Sequence, residues 1–162
     1  MIIKKWMKTD LITASPDITV NEAINIFLEK KVGVLPVTDQ DGAFLGALHL
    51  KCIMRRFMPS YFELINNIEH LVESIEDYGE IESPDAESKS ILNKKITDVM
   101  DKSLTTVSEN CSVFGAVTVM SHLNIQDLLI VTDGKLKGLV SMVDLGVAFL
   151  HWLAGEPAEQ EN

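Results

Sequence analysis

The chain contains two copies of one sequence unit, and this repeat constrains its fold more than any other feature. Residues from Met7 onward match residues from Met100 onward, with one deletion beside Asp133. The matched positions hold identical residues at Leu11/Leu104, Thr13/Thr106, Ser15/Ser108, Ala23/Ala116, Leu35/Leu128, Gly42/Gly134 and Gly46/Gly138. Because self-similarity of this kind marks a duplicated structural unit, we expect two like units, roughly 7–53 and 100–145, around a different middle segment.

Each unit is predicted to fold as β-α-β-β-α. A short extended piece comes first, at 11–14 and again at 104–107. Thr19 and Glu22 then form a capping box, in which the Thr hydroxyl accepts from a free helix N–H and the Glu carboxylate reaches back to the cap. Apolar residues at helical spacing follow, and Ser112 supplies the cap in the second unit.

Two apolar runs after this helix predict a β-hairpin in each unit. The runs cover 32–38 and 43–50 in the first unit, and 128–132 and 136–141 in the second. Asp133-Gly134 tolerates the positive φ of a tight hairpin turn, and a second helix follows. A three-stranded sheet with helices on one face leaves its other face apolar. We therefore predict an α+β fold in which the two units pack sheet to sheet.

The middle segment has a different pattern. Ser60 and Glu63 form another capping box, and apolar residues fall three or four apart over 61–78 until Gly79. This inserted amphipathic helix would pack on the chain's own repeats or on a second chain. An acidic loop is predicted from Glu80 to Ser90. The expected domains are repeat 1 at 1–58, the helical insertion and acidic loop at 59–95, repeat 2 at 96–153 and an acidic tail at 154–162.

Composition argues against several classes of function. The 14 Lys and Arg against 24 Asp and Glu give a net charge of −10, so no basic surface for nucleic acid is expected. Cys52 and Cys111 lie far apart without a CxxC pair, so neither a disulfide framework nor a zinc site is predicted. The most apolar window, 145–154, is too short to span a membrane. We expect a cytoplasmic protein without a membrane partner.

The tandem unit resembles a pair of CBS (cystathionine-β-synthase) domains. The resemblance rests on Val-Gly-Val-Leu-Pro-Val-Thr-Asp at 32–39 and Gly-Leu-Val-Ser-Met-Val-Asp-Leu at 138–145, and it covers both repeats. It implies a Bateman module, in which two clefts between the CBS repeats bind adenosine-containing ligands such as AMP, ATP or S-adenosylmethionine. No cofactor is implied beyond such a ligand.

The resemblance also implies ligand-binding residues. The family motif Gly-h-h-Ser/Thr-x-x-Asp, in which h is hydrophobic, is present as Gly138, Ser141 and Asp144. The Asp144 carboxylate can accept from both ribose hydroxyls, although an Asp here could instead be a simple helix N-cap. In the family the base end of the cleft comes from the other repeat, which here offers Ile12, Thr13, Ala14, Val32, Gly33, Val34 and Pro36.

Repeat 1 departs from the motif. His49 stands where Ser belongs and Cys52 where Asp belongs. The second cleft therefore lacks a carboxylate for a ribose, and we expect it to be empty or to bind something else. His49 and Cys52 themselves are expected to be packing residues, because a free cysteine behaves as a small hydrophobe.

A second departure concerns phosphate. Family members often place His or Arg before the Leu-Pro of the second strand, where this chain has Gly33, Val34, Gln126 and Asp127. Because Asp127 would repel a phosphate, S-adenosylmethionine or a related adenosyl thioether is favoured over AMP and ATP. The compensating cations that the sequence offers are Lys4, Lys5, Lys8, Arg55 and Arg56.

The resemblance predicts a standalone regulatory module that senses an adenosine-containing ligand, forms a homodimer and signals to an unknown protein target. A ligand-free dimeric scaffold, whose acidic surface meets a basic partner, is the alternative. An enzyme that pairs Cys52 or Cys111 with His49 or His122 is the third interpretation. We expect no enzyme, because no Gly-rich phosphate loop, HExxH or GxSxG motif occurs.

Overall fold

A computed structural model describes residues 1–57 and 86–155. Repeat 1 opens with a 3-10 turn, Ile3–Lys5, and repeat 2 opens with a second 3-10 turn, Ile96–Asp98. The regular elements of repeat 1 are α1 (Val20–Lys30), β1 (Val34–Thr38), β2 (Phe44–His49) and α2 (Leu50–Phe57). A short helix α3 (Ala86–Ile91) is followed in repeat 2 by α4 (Val113–Leu123), β3 (Asp127–Thr132), β4 (Lys135–Ser141) and α5 (Met142–Ala154).

The predicted helix starts are confirmed. The Thr19 side chain accepts from the Glu22 N–H, and the Glu22 carboxylate accepts from the Thr19 N–H at 2.7 Å, which completes the capping box of α1. Ser112 caps α4 and accepts from the Gly115 N–H at 2.9 Å. Because these side chains satisfy helix N–H groups that have no partner within the helix, the local sequence fixes where both helices begin.

The hairpins form where the sequence predicts them, and β1 pairs with β2 and β3 with β4, both antiparallel. Asp133 and Gly134 adopt φ values of 53° and 72°, which suits the tight turn. The predicted third strand is shorter than expected. Ala14 bridges Val37 and Val107 bridges Ile130, each as a single parallel contact, so each sheet has two full strands.

The two repeats exchange their leading segments. Ile3 lies fully buried in the core of repeat 2, whereas Ile96 lies fully buried in the core of repeat 1. Lys8 forms a two-way backbone pair with Leu139, and Asp101 forms the corresponding pair with Ala47. The leading residues of each repeat therefore complete the sheet edge of the other repeat.

A third core cluster joins the two sheets. It is built on buried Val34, Ala47 and Leu129, with Leu104, Leu136 and Leu139 packed against them. The hairpin ends also meet, since the Phe44 N–H donates to the Gly134 carbonyl at 2.8 Å. Burial of these apolar side chains is the main favourable term for the contact, and it confirms the predicted α+β pair packed sheet to sheet.

The predicted middle helix, 61–78, and the first part of the acidic loop lie outside the described residues. The last part of the predicted loop, 86–90, belongs instead to the helix α3, Ala86–Ile91. Its sequence, Ala-Glu-Ser-Lys-Ser-Ile, has no Gly or Pro, and Ala and Glu favour a helix. Within 1–57 and 86–155, no helix is long and apolar enough to cross a membrane.

Candidate functional site

A cleft of about 220 Å³ lies between the repeats. One wall comes from the leading segment of repeat 1, a second from residues at and just before β1, and the third from β3 and β4 of repeat 2. The lining residues are Lys8, Asp10, Leu11, Ile12, Val32, Gly33, Val34, Pro36, Asp127 and Leu139. Because both repeats supply lining residues, a ligand bound here would be sensitive to the arrangement of one repeat against the other.

The structure brings half of the sequence-predicted ligand residues to this cleft. Ile12 and the β1 set, Val32, Gly33, Val34 and Pro36, line it. The other five residues do not line it directly. Thr13 is exposed, Ala14 is packed in the core of repeat 1 and bonded to the Pro36 carbonyl, and the Gly138, Ser141 and Asp144 motif lies next to the lining residue Lys8.

Asp144 forms a capping box with Ser141 at the start of α5. Ser141 is the N-cap, and Asp144, the third residue of the helix, accepts from the Ser141 N–H at 2.8 Å and from the Ser141 hydroxyl at 2.6 Å. The alternative, a helix-capping role for Asp144, is therefore confirmed in part, because Ser141 holds the N-cap position and Asp144 completes the capping box. Both hydrogen bonds end on Oδ2 of the carboxylate.

Lys8 connects Asp144 to the cleft. The Lys8 ammonium lies 3.6 Å from Asp144 Oδ2, with the Lys8 side chain 62% exposed and the Asp144 side chain 20% exposed. Lys8 also lines the cleft. Within 1–57 and 86–155, every hydrogen bond or ion pair of the Asp144 carboxylate involves Oδ2. The second oxygen, Oδ1, keeps its full acceptor capacity.

Gly138 is required by a close backbone approach. A Cβ on Gly138 would lie 2.7 Å from the Lys8 carbonyl oxygen and 3.1 Å from the Met7 sulfur. A Cβ on the equivalent Gly46 would lie 2.6 Å from the Asp101 carbonyl oxygen and 3.2 Å from the Met100 sulfur. The glycine of the motif therefore admits the exchanged leading segment, which in turn carries Lys8 to Asp144.

Asp127 and His49 give the site an unusual electrostatic environment. Burial raises the pKa of the Asp127 carboxyl, and nearby Asp144 raises it further, while His49 and Lys8 act in the opposite direction. Burial also lowers the pKa of His49, against the attraction of Asp101 and Asp127. Its Nε2 atom is buried and has no hydrogen-bond partner among the described residues. Both groups are thus biased toward their neutral forms.

The pseudo-symmetric positions in repeat 1 have different chemistry. His49 pairs with Val34 at the place where Ser141 pairs with Asp127 in repeat 2. Asp101 occupies the position that corresponds to Lys8, so an anion stands where the cleft has its lysine. Cys52 is exposed, contrary to the packing role expected for it, whereas His49 is half-buried. No group of His, Cys, Asp or Glu in the described ranges could hold a metal ion.

Sequence reasoning did not place four lining residues: Lys8, Asp10, Leu11 and Leu139. Lys8 was one of five residues that the sequence offered as cations to compensate a phosphate, and of those that the structure describes it is the one that lines the cleft. Lys4 pairs with Glu109 at 3.2 Å, and neither Lys5 nor Arg55 lines the cleft. The repeat itself was the sequence signal that could have located Lys8, because the match between the two units begins at the Met7/Met100 pair, directly before Lys8.

Known proteins share both the sequence pattern and the fold. The CBS domain family model matches residues 3–59 and 96–149. MJ1404, an uncharacterized protein of Methanocaldococcus jannaschii, is 26% identical over 181 residues that cover 88% of this chain and 42% of MJ1404. The chain thus spans less than half the length of that relative.

Solved structures agree at the level of the fold. CBSX2, crystallised in complex with AMP, superposes with a TM-score of 0.67 at 20% identity, over 94% of this chain and 98% of that one. The CBS domain pair of MJ0100, in complex with 5′-methylthioadenosine and S-adenosyl-L-methionine, gives a TM-score of 0.60 at 19% identity, over 92% and 99%. The chain therefore belongs to the CBS-domain family, as a tandem pair of CBS domains that forms a Bateman module.

Proposed function

We propose that the module binds one adenosine-containing ligand per chain in the cleft between its repeats, with the ribose on Asp144, and that binding regulates a partner protein. The observation that carries this proposal is the position of Asp144. Its carboxylate is ordered by Ser141 and joined through Lys8 to the cleft, and its Oδ1 takes no hydrogen bond from the described residues. Charge-assisted hydrogen bonds to such an oxygen are the stronger kind.

The geometry modifies the expected contact with the ribose. A carboxylate was expected to accept from both ribose hydroxyls, but Oδ2 already takes two hydrogen bonds from Ser141. One ribose hydroxyl would therefore donate to Oδ1. The second would reach Oδ2 only by displacing Lys8, whose 3.6 Å contact is long and solvent-exposed.

The ligands of proteins that share the fold support the adenosine class. CBSX2 was crystallised with AMP, and the MJ0100 pair with 5′-methylthioadenosine and S-adenosyl-L-methionine. In this chain, apolar Ile12, Val32 and Pro36 line the end of the cleft that would receive the base. We place the adenine there and the 5′ substituent toward the charged residues.

A regulatory role follows from where the ligand would sit. CBS-domain pairs typically regulate rather than catalyse, and this cleft is lined by residues of both repeats. A ligand shifts the balance between two arrangements of the repeats only if it binds one of them better. We propose that this shift is the signal read by the partner, in the cytoplasm, where the free Cys52 and Cys111 stay reduced.

We also propose that the module works as a homodimer through its helices. Phe114 and Trp152 are 53% and 56% exposed and form an edge-to-face pair, and Phe149 contacts both rings. Leu28, Val143 and Leu150 are exposed large apolar residues on α1 and α5. A second copy that buries these helix faces would remove this apolar surface from water. The same surface favours the alternative function, a dimeric scaffold without a ligand.

Thermal unfolding against a ligand panel tests the proposal. Wild-type protein is heated with AMP, ATP, S-adenosylmethionine or 5′-methylthioadenosine, and sedimentation gives the oligomeric state. A ligand at about 100 times its Kd stabilises the fold by roughly 2.7 kcal/mol, a clear rise in Tm. A rise with one or more adenosyl ligands supports the sensor. A dimer that no member of the panel stabilises would favour the scaffold instead.

A further inference from the structure

The charges around the cleft are unbalanced. Its charged lining residues are Lys8, Asp10 and Asp127, one positive against two negative. The Lys8 ammonium is also engaged by Asp144, 3.6 Å away. Asp144 shares the charge of Lys8, so this one ammonium, which also acts on Asp127, faces the three carboxylates of Asp10, Asp127 and Asp144.

No lysine or arginine other than Lys8 lines the cleft in the part of the chain that the structure describes, and burial lowers the pKa of His49, the other group that acts against the raised pKa of Asp127. Lys4 is paired with Glu109 at 3.2 Å, and Lys95 is paired with Asp17 at 3.3 Å. Neither Lys4 nor Lys95 lines the cleft. A phosphate in the cleft would therefore meet two carboxylates and one lysine that is already shared with Asp144.

Asp127 is the carboxylate that this charge imbalance affects most. It is half-buried at the start of β3, and its Oδ2 points over Gly33, where a Cβ would lie only 3.7 Å away. It forms no ion pair with the described side chains within 4 Å. Burial and Asp144 together raise the pKa of its carboxyl. A positive ligand group would stabilise the ionised form of this partly desolvated carboxyl.

We infer that the cleft selects among adenosyl ligands by charge, accepting a sulfonium or an uncharged thioether and disfavouring nucleoside phosphates, with Asp127 as the selecting residue. This inference rests on the proposed function, because it assumes that an adenosyl ligand occupies the cleft. In this inference, the adenosine binds through the apolar lining and Asp144. The selectivity depends on the group carried on the 5′ carbon of the ligand.

The test uses ligands that differ mainly in charge at that position. S-adenosylmethionine and S-adenosylhomocysteine differ by one methyl group and the positive charge on sulfur, 5′-methylthioadenosine is uncharged, and AMP is an anion. Calorimetric Kd values are measured for wild type and Asp127→Asn. Asp98→Asn is the matched control, because it makes the same change in total charge at an exposed residue that does not line the cleft.

We expect wild type to bind S-adenosylmethionine and 5′-methylthioadenosine at least about tenfold more tightly than AMP, a difference of about 1.4 kcal/mol. Asp127→Asn should weaken the binding of S-adenosylmethionine about tenfold and strengthen the binding of AMP. The Kd of 5′-methylthioadenosine should stay within twofold of the wild-type value. Asp98→Asn should leave all four unchanged. Higher salt on wild type should narrow the gap between S-adenosylmethionine and AMP, since it screens both attraction and repulsion, and this series needs no variant.

The outcomes separate the two proposals. If AMP binds wild type as tightly as 5′-methylthioadenosine, charge selection is overturned while the adenosyl site stands. If Asp127→Asn leaves the ratio of S-adenosylmethionine to S-adenosylhomocysteine unchanged, Asp127 is not the selecting residue. If none of the four ligands binds wild type, the adenosyl site itself is wrong and the selection falls with it.

Discussion

The ammonium of Lys8 lies 3.6 Å from Oδ2 of Asp144, which links the leading segment of repeat 1 to the last helix of repeat 2. The contact exists because the repeats exchange their leading segments and Lys8 pairs through its backbone with Leu139. An exposed ion pair of this kind contributes little to stability. Its importance is that it places a cation of the cleft lining beside the carboxylate of the motif.

Replacing Lys8 should change ligand preference more than stability. Lys8→Met removes an exposed pair, so the free energy of unfolding should fall by less than about 1 kcal/mol. The affinity for 5′-methylthioadenosine should be kept, while the affinity for AMP should fall because the cleft loses its cation. Lys4→Met, which breaks the Lys4–Glu109 pair, is the matched control for calorimetry. Loss of 5′-methylthioadenosine binding in Lys8→Met alone would show that Lys8 contacts the ligand itself.

Two glycine substitutions should have opposite effects on stability. Gly138→Ala places a Cβ 2.7 Å from the Lys8 carbonyl oxygen, and such overpacking costs about 1–3 kcal/mol. Gly146 lies inside α5 with nothing within 4 Å of a Cβ, so Gly146→Ala should stabilise by up to about 1 kcal/mol. Urea unfolding compares the two. Equal effects would mean that the leading segment does not press on Gly138.

Loss of either N-cap should destabilise the fold, but only one loss should affect binding. Ser141→Ala and Thr19→Ala each remove a side chain that accepts from a helix N–H, at a cost of about 0.5–2 kcal/mol. Ser141 also orders Asp144, whereas Thr19 lies outside the cleft lining. Ligand affinity should fall for Ser141→Ala alone. A fall of the same size for Thr19→Ala would trace the effect to general destabilisation.

Stability should depend on pH through His49. Its pKa in the folded protein is below the usual value of 6.5 because burial disfavours the charged ring. As pH falls below about 6.5, the unfolded chain therefore takes up a proton that the folded protein does not, and the free energy of unfolding decreases until the folded pKa is reached. Denaturant curves from pH 7.5 to 5 should show this slope in wild type.

The same series on variants identifies the group. His49→Gln should flatten the dependence of the free energy of unfolding on pH below 6.5. His122→Gln should leave this dependence unchanged, since His122 is exposed. Asp101 and Asp127 attract a proton to His49 and limit the size of the effect. A slope that survives in His49→Gln would show that other groups cause it.

Local sequence signals predicted the parts of the fold that depend on neighbouring residues. The Thr19 and Ser112 caps and the Asp133-Gly134 turn were read correctly because each involves atoms only a few residues apart. The short first strands were overestimated, since Ala14 and Val107 each make one bridge. How many residues pair there depends on distant strands and not on local propensity.

The site was only partly predictable for the same reason. The motif located Asp144, and the resemblance located Val32 to Pro36, but Lys8 reaches Asp144 only through an exchange of segments between the repeats. That exchange depends on contacts such as Ile3 in the core of repeat 2 and Ile96 in the core of repeat 1. Periodicity along the chain carries no information about such contacts.

The most direct test of the adenosyl site is calorimetric titration of 5′-methylthioadenosine into wild type, Asp144→Ala and Glu22→Ala. Glu22 is the matched control, because it completes the capping box of α1 as Asp144 does for α5. We predict one site per chain in wild type, unchanged in Glu22→Ala. Asp144→Ala should bind about ten- to a hundredfold more weakly, as expected for a lost charge-assisted bond of about 1.5–3 kcal/mol. Equal affinity in all three proteins, or no heat in wild type, would contradict a ribose on Asp144.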